Sequence, residues 1–285
     1  AGTDTIELNG GNGAETFSMT VNDTRVRFDR VDPAPFTLDI GTSESLVLYA
    51  NGGDDSFSAP GNLAALIQIT VDGGAGNDTL SGSNGADVLL GGDNNDVIDG
   101  QQGNDIVFLG AGDDLVQWDP GDGNDIVEGQ DGSDTLLFNG SNASEIFAVS
   151  ANGARVQLTR NIANIVMDLN DVETLDLNAL GGADGFTVNG LAGTDLTSVI
   201  ADLAGSGGGG DGAVDTITIN GTANPDAISL TATAPNVNVA GLSATVRILQ
   251  PEMANDDVIV NGLGGVDIFS TGAGVTSLIG VTLNQ

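Results

Sequence analysis

Apolar residues recur at every second position in most apolar segments of this chain, which is the periodicity of β-strands. Examples are residues 5–8 (TIEL) and 25–28 (RVRF), which are short and rich in β-branched side chains. Asn-Gly, Asp-Gly and Gly-Gly pairs separate these runs and indicate tight turns. The pattern therefore predicts an all-β chain of short strands with little helix.

A nine-residue unit repeats seven times in residues 73–137, with Trp118 and Asp119 inserted after the fifth unit. Position eight is aliphatic in every unit, so we expect it to face the core. Position seven is aliphatic in the five middle units and should face outward, where another segment or a partner would cover it. Trp118 is expected to cover the core at a bulge, with sugar binding as the alternative.

Position six and the glycine positions define the candidate site. Position six is aspartate in every unit: Asp78, Asp87, Asp96, Asp105, Asp114, Asp125 and Asp134. Position four is glycine in all units except one: Gly76, Gly85, Gly103, Gly112, Gly123 and Gly132. Glycine also opens the first four units: Gly73, Gly82, Gly91 and Gly100.

A longer repeat flanks this array, with three copies that begin at Asp4, Asp134 and Asp215. It divides the chain into a first solenoid copy, the array, a second copy, a Gly-rich loop and a third copy: 1–72, 73–137, 138–204, 205–214 and 215–285. Each copy holds two further acids that either bind metal or act as ordinary turn carboxylates: Glu15, Asp55, Glu145, Asp184, Asp226 and Asp267.

Composition excludes several functions. The 285 residues include 40 Asp plus Glu and 6 Arg, for a net charge of −34, and no His, Cys or Lys. A zinc finger, a His-based triad, a thiol nucleophile and a Walker-type P-loop are therefore ruled out. The negative charge repels nucleic acid and anionic lipid, and no apolar run is long enough to insert in a membrane. We expect no enzyme activity; a two-carboxylate glycosidase is the remaining enzymatic alternative.

The unit is suited to a hard cation. Ca²⁺ takes six to eight oxygen ligands from carboxylates and backbone carbonyls. Glycines in the turn allow left-handed backbone conformations, so that several carbonyls can point at one centre. The aspartate at position six adds a charged oxygen, and bound cations would offset the repulsion between the acids.

The unit GGxGxDxUx, as in GGAGNDTLS from Gly73, resembles the RTX, or haemolysin-type, calcium-binding repeat. The resemblance implies a parallel β-roll, secretion by a type I system, and calcium between turns stacked two units apart. One coil then consists of two nine-residue units. The two inserted residues, Trp118 and Asp119, make one coil longer by two residues in both files of units. The units before and after them still stack on each other.

The stacking sorts the aspartates into two files. The first file holds Asp78, Asp96, Asp114 and Asp134. The second file holds Asp87, Asp105 and Asp125, and Glu145 would continue it. Calcium between successive members predicts about five or six ions. The predicted fold is an all-β parallel β-solenoid, a β-roll or β-helix, with calcium-binding turns.

The expected protein is bacterial, secreted or displayed on the cell surface, and structural: an S-layer, matrix, adhesin or filament subunit whose folding and assembly calcium drives. The alternative is a calcium-dependent module that binds a glycan or another surface protein. End-to-end self-association is a further expectation, because joining Gln285 to Ala1 gives a sequence like the internal repeat junctions. The recurring Arg25 and Arg155, and Arg30 and Arg160, either pair with local acids or form a contact surface.

Overall fold

The computed structural model describes residues 2–285 and is nearly all β. Ala1 lies outside the described residues. The predicted first copy and the predicted end-to-end junction both include Ala1, so they are described only from residue 2 onward. The two short 3-10 helices are Ile162–Asn164 and Val275–Ser277. The chain forms two compact units, of which the first ends at Leu136 and the second runs from Leu137 to Gln285.

The first unit contains the flank of the array and the array itself. Its strands are β1 (Thr5–Asn9), β2 (Thr16–Asn22), β3 (Arg25–Asp32), β4 (Phe36–Ile40), β5 (Ser45–Tyr49), β6 (Ser56–Ser58), β7 (Gln68–Ala75), β8 (Thr79–Ser81), β9 (Val88–Asp93), β10 (Val97–Asp99), β11 (Ile106–Gly112), β12 (Leu115–Trp118) and β13 (Ile126–Gly132).

Apart from β3 and β4, these strands alternate between two sheets and pair in parallel from coil to coil. One sheet has the order β1-β5-β7-β9-β11-β13, and the other contains β2-β6-β8-β10-β12. Ile106 lies opposite Val88, which precedes it by two repeat units, and opposite Ile126, which follows it by two units plus the insertion. The predicted coil of two units, and its lengthening at the insertion, are confirmed.

The second unit is built in the same way. β14 (Thr135–Ser141) crosses the boundary between the units. The further strands are β15 (Ile146–Asn152), β16 (Arg155–Arg160), β17 (Ile165–Asn170), β18 (Thr174–Leu180), β19 (Gly185–Val188), β20 (Ser198–Asp202), β21 (Thr216–Asn220), β22 (Ala227–Thr233), β23 (Asn236–Ala240), β24 (Thr245–Leu249), β25 (Asp257–Asn261), β26 (Ile268–Thr271) and β27 (Gly280–Asn284).

Three antiparallel meanders interrupt the parallel stacking, and the sequence pattern alone did not predict them. They are β2-β3-β4, β15-β16-β17 and β22-β23-β24. Each stands at the same place in its copy of the longer repeat, and its middle strand holds the alternating run around Val26, Val156 or Val237. Residues with positive φ angles, Asp23 and Gly153, form the first hairpin turn in two of them.

The core follows the two-residue period of the strands. Position eight of the array is fully buried, as predicted, with Leu89, Ile98 and Val127 completely inaccessible. Position seven faces outward, and Val97, Ile106 and Ile126 are exposed. Trp118 is buried at the bulge, where its indole N–H donates to the carbonyl oxygen of Gly123 at 3.0 Å. The all-β parallel solenoid is therefore confirmed, whereas the predicted five-part division of the chain stays a prediction.

Candidate metal centre

The turns of the array owe their shape to residues at positions two and four. In the first unit Gly74 and Gly76 have φ angles of 99° and 140°, a region that favours glycine. Non-glycine residues also take positive φ angles there, as at Asn94 in position four and Gln101 in position two. Five of the seven units have positive φ angles at both positions; the second unit has neither, and the fourth lacks the one at Gly103. Most turns of the array therefore share one backbone conformation.

The glycines at positions one and four are also needed because the turn leaves no room for a side chain there. A Cβ built at Gly73 would overlap the Asp78 carboxylate and lie 2.7 Å from the carbonyl oxygen of Gly91, one coil away. A Cβ at Gly103 would lie 2.6 Å from Asp105 Oδ1 and overlap the carbonyl of Gly85. A Cβ would meet the same kinds of oxygen at the other predicted glycines, except Gly85, which faces Ala64: Gly76, Gly82, Gly91, Gly100, Gly112, Gly123 and Gly132. Carboxylate and carbonyl oxygens therefore crowd the space that a side chain would otherwise take.

The first predicted file exists and is longer than the sequence suggested. In each step the backbone N–H of one acid donates to Oδ1 of the acid one coil further on, at 2.7–3.0 Å. The members in order are Glu15, Asp55, Asp78, Asp96, Asp114 and Asp134. Two candidate acids of the first copy therefore belong to the same file as the array.

The second file shows the same contact. The N–H of Asp87 donates to Asp105 Oδ1, and the N–H of Asp105 donates to Asp125 Oδ1, both at 2.8 Å. The Asp87 carboxylate also accepts the Ser83 N–H at 2.6 Å, through Oδ2. All seven predicted aspartates are thus stacked as expected, and Glu145, the suggested continuation, lies in the second unit.

The aspartates of both files are buried, and much of their hydrogen-bonding capacity is unused. Each of the seven is at most 6% exposed. Oδ1 is used by the neighbouring coil, but Oδ2 has no hydrogen-bond partner in Asp78, Asp96, Asp105 and Asp114. A buried carboxylate oxygen without a partner is costly, so this arrangement calls for a cation.

The array itself contains no basic residue, because the sequence has none between Arg30 and Arg155. Among residues 2–285, Asp78, Asp96, Asp105 and Asp114 form no ion pair. At the flanks the arrangement differs: Arg30 forms an ion pair with Glu15, and the buried Arg160 forms one with Glu145. Local pairing, the first of the two interpretations for the arginines, is therefore confirmed for these and for Arg25, which contacts Asp39 at 2.7 Å.

Burial changes the protonation of the files. Burial raises the pKa of Asp105 to about 8, and the like charges of Asp125 and Asp87 add to the effect. Burial likewise raises the pKa of Asp96 and of Asp125 to about 7 each. The carboxylates are therefore unfavourable as anions near neutral pH until a positive charge compensates them.

Some acids of the stacked turns were not predicted. In the second unit Glu145, Asp184, Asp215 and Asp256 form a third file with the same N–H to Oδ1 contacts, at 2.7–3.1 Å. Asp256 lacks the array's glycines, and Asp215 keeps only Gly210, at position one. Each stands two residues before a buried aliphatic, and Asp215 begins its copy of the longer repeat as Asp134 does; these signals could have found them. The sixth unit adds the buried Asp122, at its position three, whose pKa burial raises to about 7.

The oxygens present fit calcium better than other metals. Within residues 2–285, no three acidic side chains converge closely enough to hold a metal by themselves. Two stacked carboxylates plus backbone carbonyls match the ligand set of Ca²⁺, which accepts such mixed oxygen shells. The position-six carboxylates would hold the ion together with carbonyls of the adjacent turns.

Comparison with known proteins agrees with this site. The family model of the RTX calcium-binding nonapeptide repeat matches residues 70–97, 81–116 and 121–142. The matched residues include all seven predicted aspartates of the array. This chain therefore contains RTX calcium-binding repeats, and binding of calcium is a property of this segment.

Other comparisons add little. The crystal structure of the extracellular lipase LipA from Serratia marcescens is similar over 70% of this chain and 43% of its own, at 16% identity and a TM-score of 0.17. The chain thus spans less than half of that lipase, and a similarity this low supports no conclusion. No curated protein matches the sequence. No helix within residues 2–285 has the length and apolar character needed to cross a membrane.

Proposed function

We propose that this protein is an extracellular, calcium-dependent structural component of a bacterial surface or matrix, and that it is not an enzyme. The observation that carries the proposal is a set of buried array carboxylates with an unpartnered Oδ2 and no ion pair among the described residues: Asp78, Asp96, Asp105 and Asp114. A fold whose interior needs cations from solution is stable only where those cations are abundant.

The energies involved make calcium a condition for folding. Neighbouring carboxylates about 4.8 Å apart repel each other by about 3.5 kcal/mol at an effective dielectric constant near 20. An ion present at a hundred times its dissociation constant stabilises the folded state by about 2.7 kcal/mol. About five such ions contribute on the order of 13 kcal/mol, as much as the whole stability of a typical domain.

This dependence suits secretion followed by folding outside the cell. In a calcium-poor cytosol the array would remain unfolded, a state that a type I secretion channel could export. Millimolar calcium outside the cell is sufficient for the weak affinity class of extracellular calcium modules. A secreted location therefore follows from the same chemistry as the fold.

Exposed apolar residues support self-association. Strand β26 is an edge strand of its sheet in the second unit. Around it, Leu263, Val266 and Ile268 are exposed by 64%, 76% and 66%. An apolar edge strand offers unpaired backbone groups and apolar surface to a second molecule, so it is suited to assembly between copies.

The test is light scattering of the full chain in EDTA, in millimolar magnesium and in millimolar calcium. We expect folding and growth of assemblies in calcium alone, because Mg²⁺ demands octahedral geometry and retains its waters. A chain that folds in calcium but stays monomeric at all concentrations would refute the structural role. Folding of the array in EDTA near pH 8 would refute the calcium dependence.

The second candidate is a calcium-dependent module that binds a glycan or another surface protein. The outward aliphatic residues at position seven, such as Ile106 opposite Ile126, favour it because they present an apolar surface. Retention of the calcium-loaded monomer on a glycan array would support this candidate over the structural role.

A further inference from the structure

Asp184, in the second unit, has the same environment as the array aspartates although it lies outside the matched repeats. Its Oδ1 accepts the backbone N–H of Glu145 at 2.7 Å. The residue is only 5% exposed, and its Oδ2 has no hydrogen-bond partner. Asp184 therefore holds a buried negative oxygen that the protein leaves unused.

The turn before Asp184 has the conformation of an array turn despite its different sequence. Leu180 and Gly182 have φ angles of 70° and 115°, at the places where the array has its positions two and four. In the array the same pair of positive φ angles is found at Gly74 and Gly76. The backbone carbonyls of this turn are thus arranged by the same local geometry.

A second carboxylate reaches this turn from the Gly-rich loop. Asp211 Oδ2 accepts the N–H of Gly182 at 2.9 Å. A Cβ built at Gly181 would lie 3.0 Å from Asn142 Oδ1 and 3.5 Å from Asp211 Oδ2, so both oxygens lie on the same side of that glycine. They line an open cleft of about 520 Å³ that also includes Leu180 and Gly205.

The charges at this site are not compensated by the protein. Asp211 and Asp215 both add negative potential at Asp184. Glu145, the preceding member of the file, is neutralised by Arg160. Neither Asp184 nor Asp211 has an ion pair among the described residues of the chain.

Two other acids of the second unit are satisfied differently. Asp226 accepts both the N–H and the hydroxyl of Thr222, at 2.7 and 3.1 Å. Asp256 accepts the N–H groups of Glu252 and Asp215. A cation is therefore needed at Asp184 and not at these positions.

We propose that the second unit binds an additional calcium ion between Asp184 and Asp211. Asp184 Oδ2 and the Asp211 carboxylate supply the charge, and Asn142 Oδ1 and the Leu180 carbonyl oxygen supply neutral ligands. All of these are the hard oxygens that Ca²⁺ takes, and the open cleft leaves room for water ligands. Calcium would thereby tie the Gly-rich loop to the stacked turns.

The experiment compares the full chain with Asp184→Asn, Asp211→Asn and the control Asp195→Asn, which removes the same charge at an exposed position of the same unit. Bound calcium is counted by elemental analysis after equilibrium dialysis. Hydrogen exchange is followed by mass spectrometry in residues 179–186 and 205–213. Asp211→Asn keeps the test valid if the buried Asp184 variant fails to fold.

We expect one fewer bound ion per chain in each of the two site variants and none lost in the control. In the unaltered chain, calcium should slow exchange in residues 179–186 about tenfold, and Asp211→Asn should abolish this effect. An unchanged ion count in both variants, or exchange in residues 179–186 that calcium leaves unaffected, would overturn the site. Protection of residues 73–137 is scored separately, so a failure of the array is distinguishable from a failure of this site.

Discussion

At the residue scale, four array aspartates each have two separate tasks: Asp78, Asp96, Asp105 and Asp114. In Asp96, Oδ1 accepts the Asp78 N–H at 2.7 Å and so connects adjacent coils, whereas Oδ2 is buried without a partner. The first task needs only an acceptor, which an amide also provides. The second task needs negative charge, because this oxygen would contact the bound calcium ion.

Replacing Asp96 by Asn should therefore weaken calcium binding while leaving the connection between coils intact. We expect the calcium concentration at half-folding to rise about tenfold, which corresponds to about 1.4 kcal/mol. Asp93→Asn is the matched control, because it removes the same charge from an exposed position of the same turn. Circular dichroism during a calcium titration measures both. Equal shifts for the two variants would mean that only net charge matters.

The array site could be predicted from sequence because its requirements are strict. Position six and the glycines recur with a fixed period, and the structure stacks them with the expected offsets. The sequence did not decide whether the flank acids bind metal, because only part of the nine-residue pattern is present around them. Asp184 keeps the turn conformation through Leu180, a non-glycine residue with a positive φ angle. Asp211 comes from the Gly-rich loop further along the chain, a contact that only the three-dimensional structure reveals.

At the element scale, the meanders are the feature that strand periodicity did not predict. Alternation of apolar and polar residues is the same in parallel and antiparallel strands, so it cannot tell a coil from a hairpin. In two of the meanders, an arginine joins the meander to the acid that precedes its first strand. Arg160 at the end of β16 pairs with Glu145, and Arg30 in β3 pairs with Glu15.

Arg160→Met should destabilise the second unit strongly, because it leaves Glu145 buried without its cation. We expect a loss of about 3–5 kcal/mol. Arg155→Met is the control on the same strand, where the partner Asp168 is partly exposed. That change should cost about 1 kcal/mol or less. Urea unfolding in saturating calcium measures both; similar losses would show that the buried pair has no special role.

At the scale of the whole molecule, protons and calcium compete for the same carboxylates. In the metal-free chain the folded-state pKa of Asp105 is about 8 and that of Asp96 about 7, well above the unfolded value near 3.9. Groups with a raised folded-state pKa stabilise the fold below the unfolded pKa, and this stability is lost as the pH rises through the folded pKa.

Without metal, the array should therefore be unfolded near pH 8 and should gain β structure as the pH falls towards 5, because protons take the place of the missing cations. In saturating calcium this pH dependence should disappear, because the ion replaces the protons. Circular dichroism of chelator-treated and calcium-loaded protein across this range makes the comparison. A metal-free β signal that grows as the pH rises would show that the files are not protonated in the folded state.

The most direct test is a crystal structure of the chain grown in millimolar calcium, with anomalous data to locate the ions. We expect ion density along both files of the array, within about 2.3–2.6 Å of the Oδ2 atoms of Asp78, Asp96 and Asp105. Well-ordered aspartates with no ion density beside them would contradict the central claim that calcium neutralises these buried carboxylates.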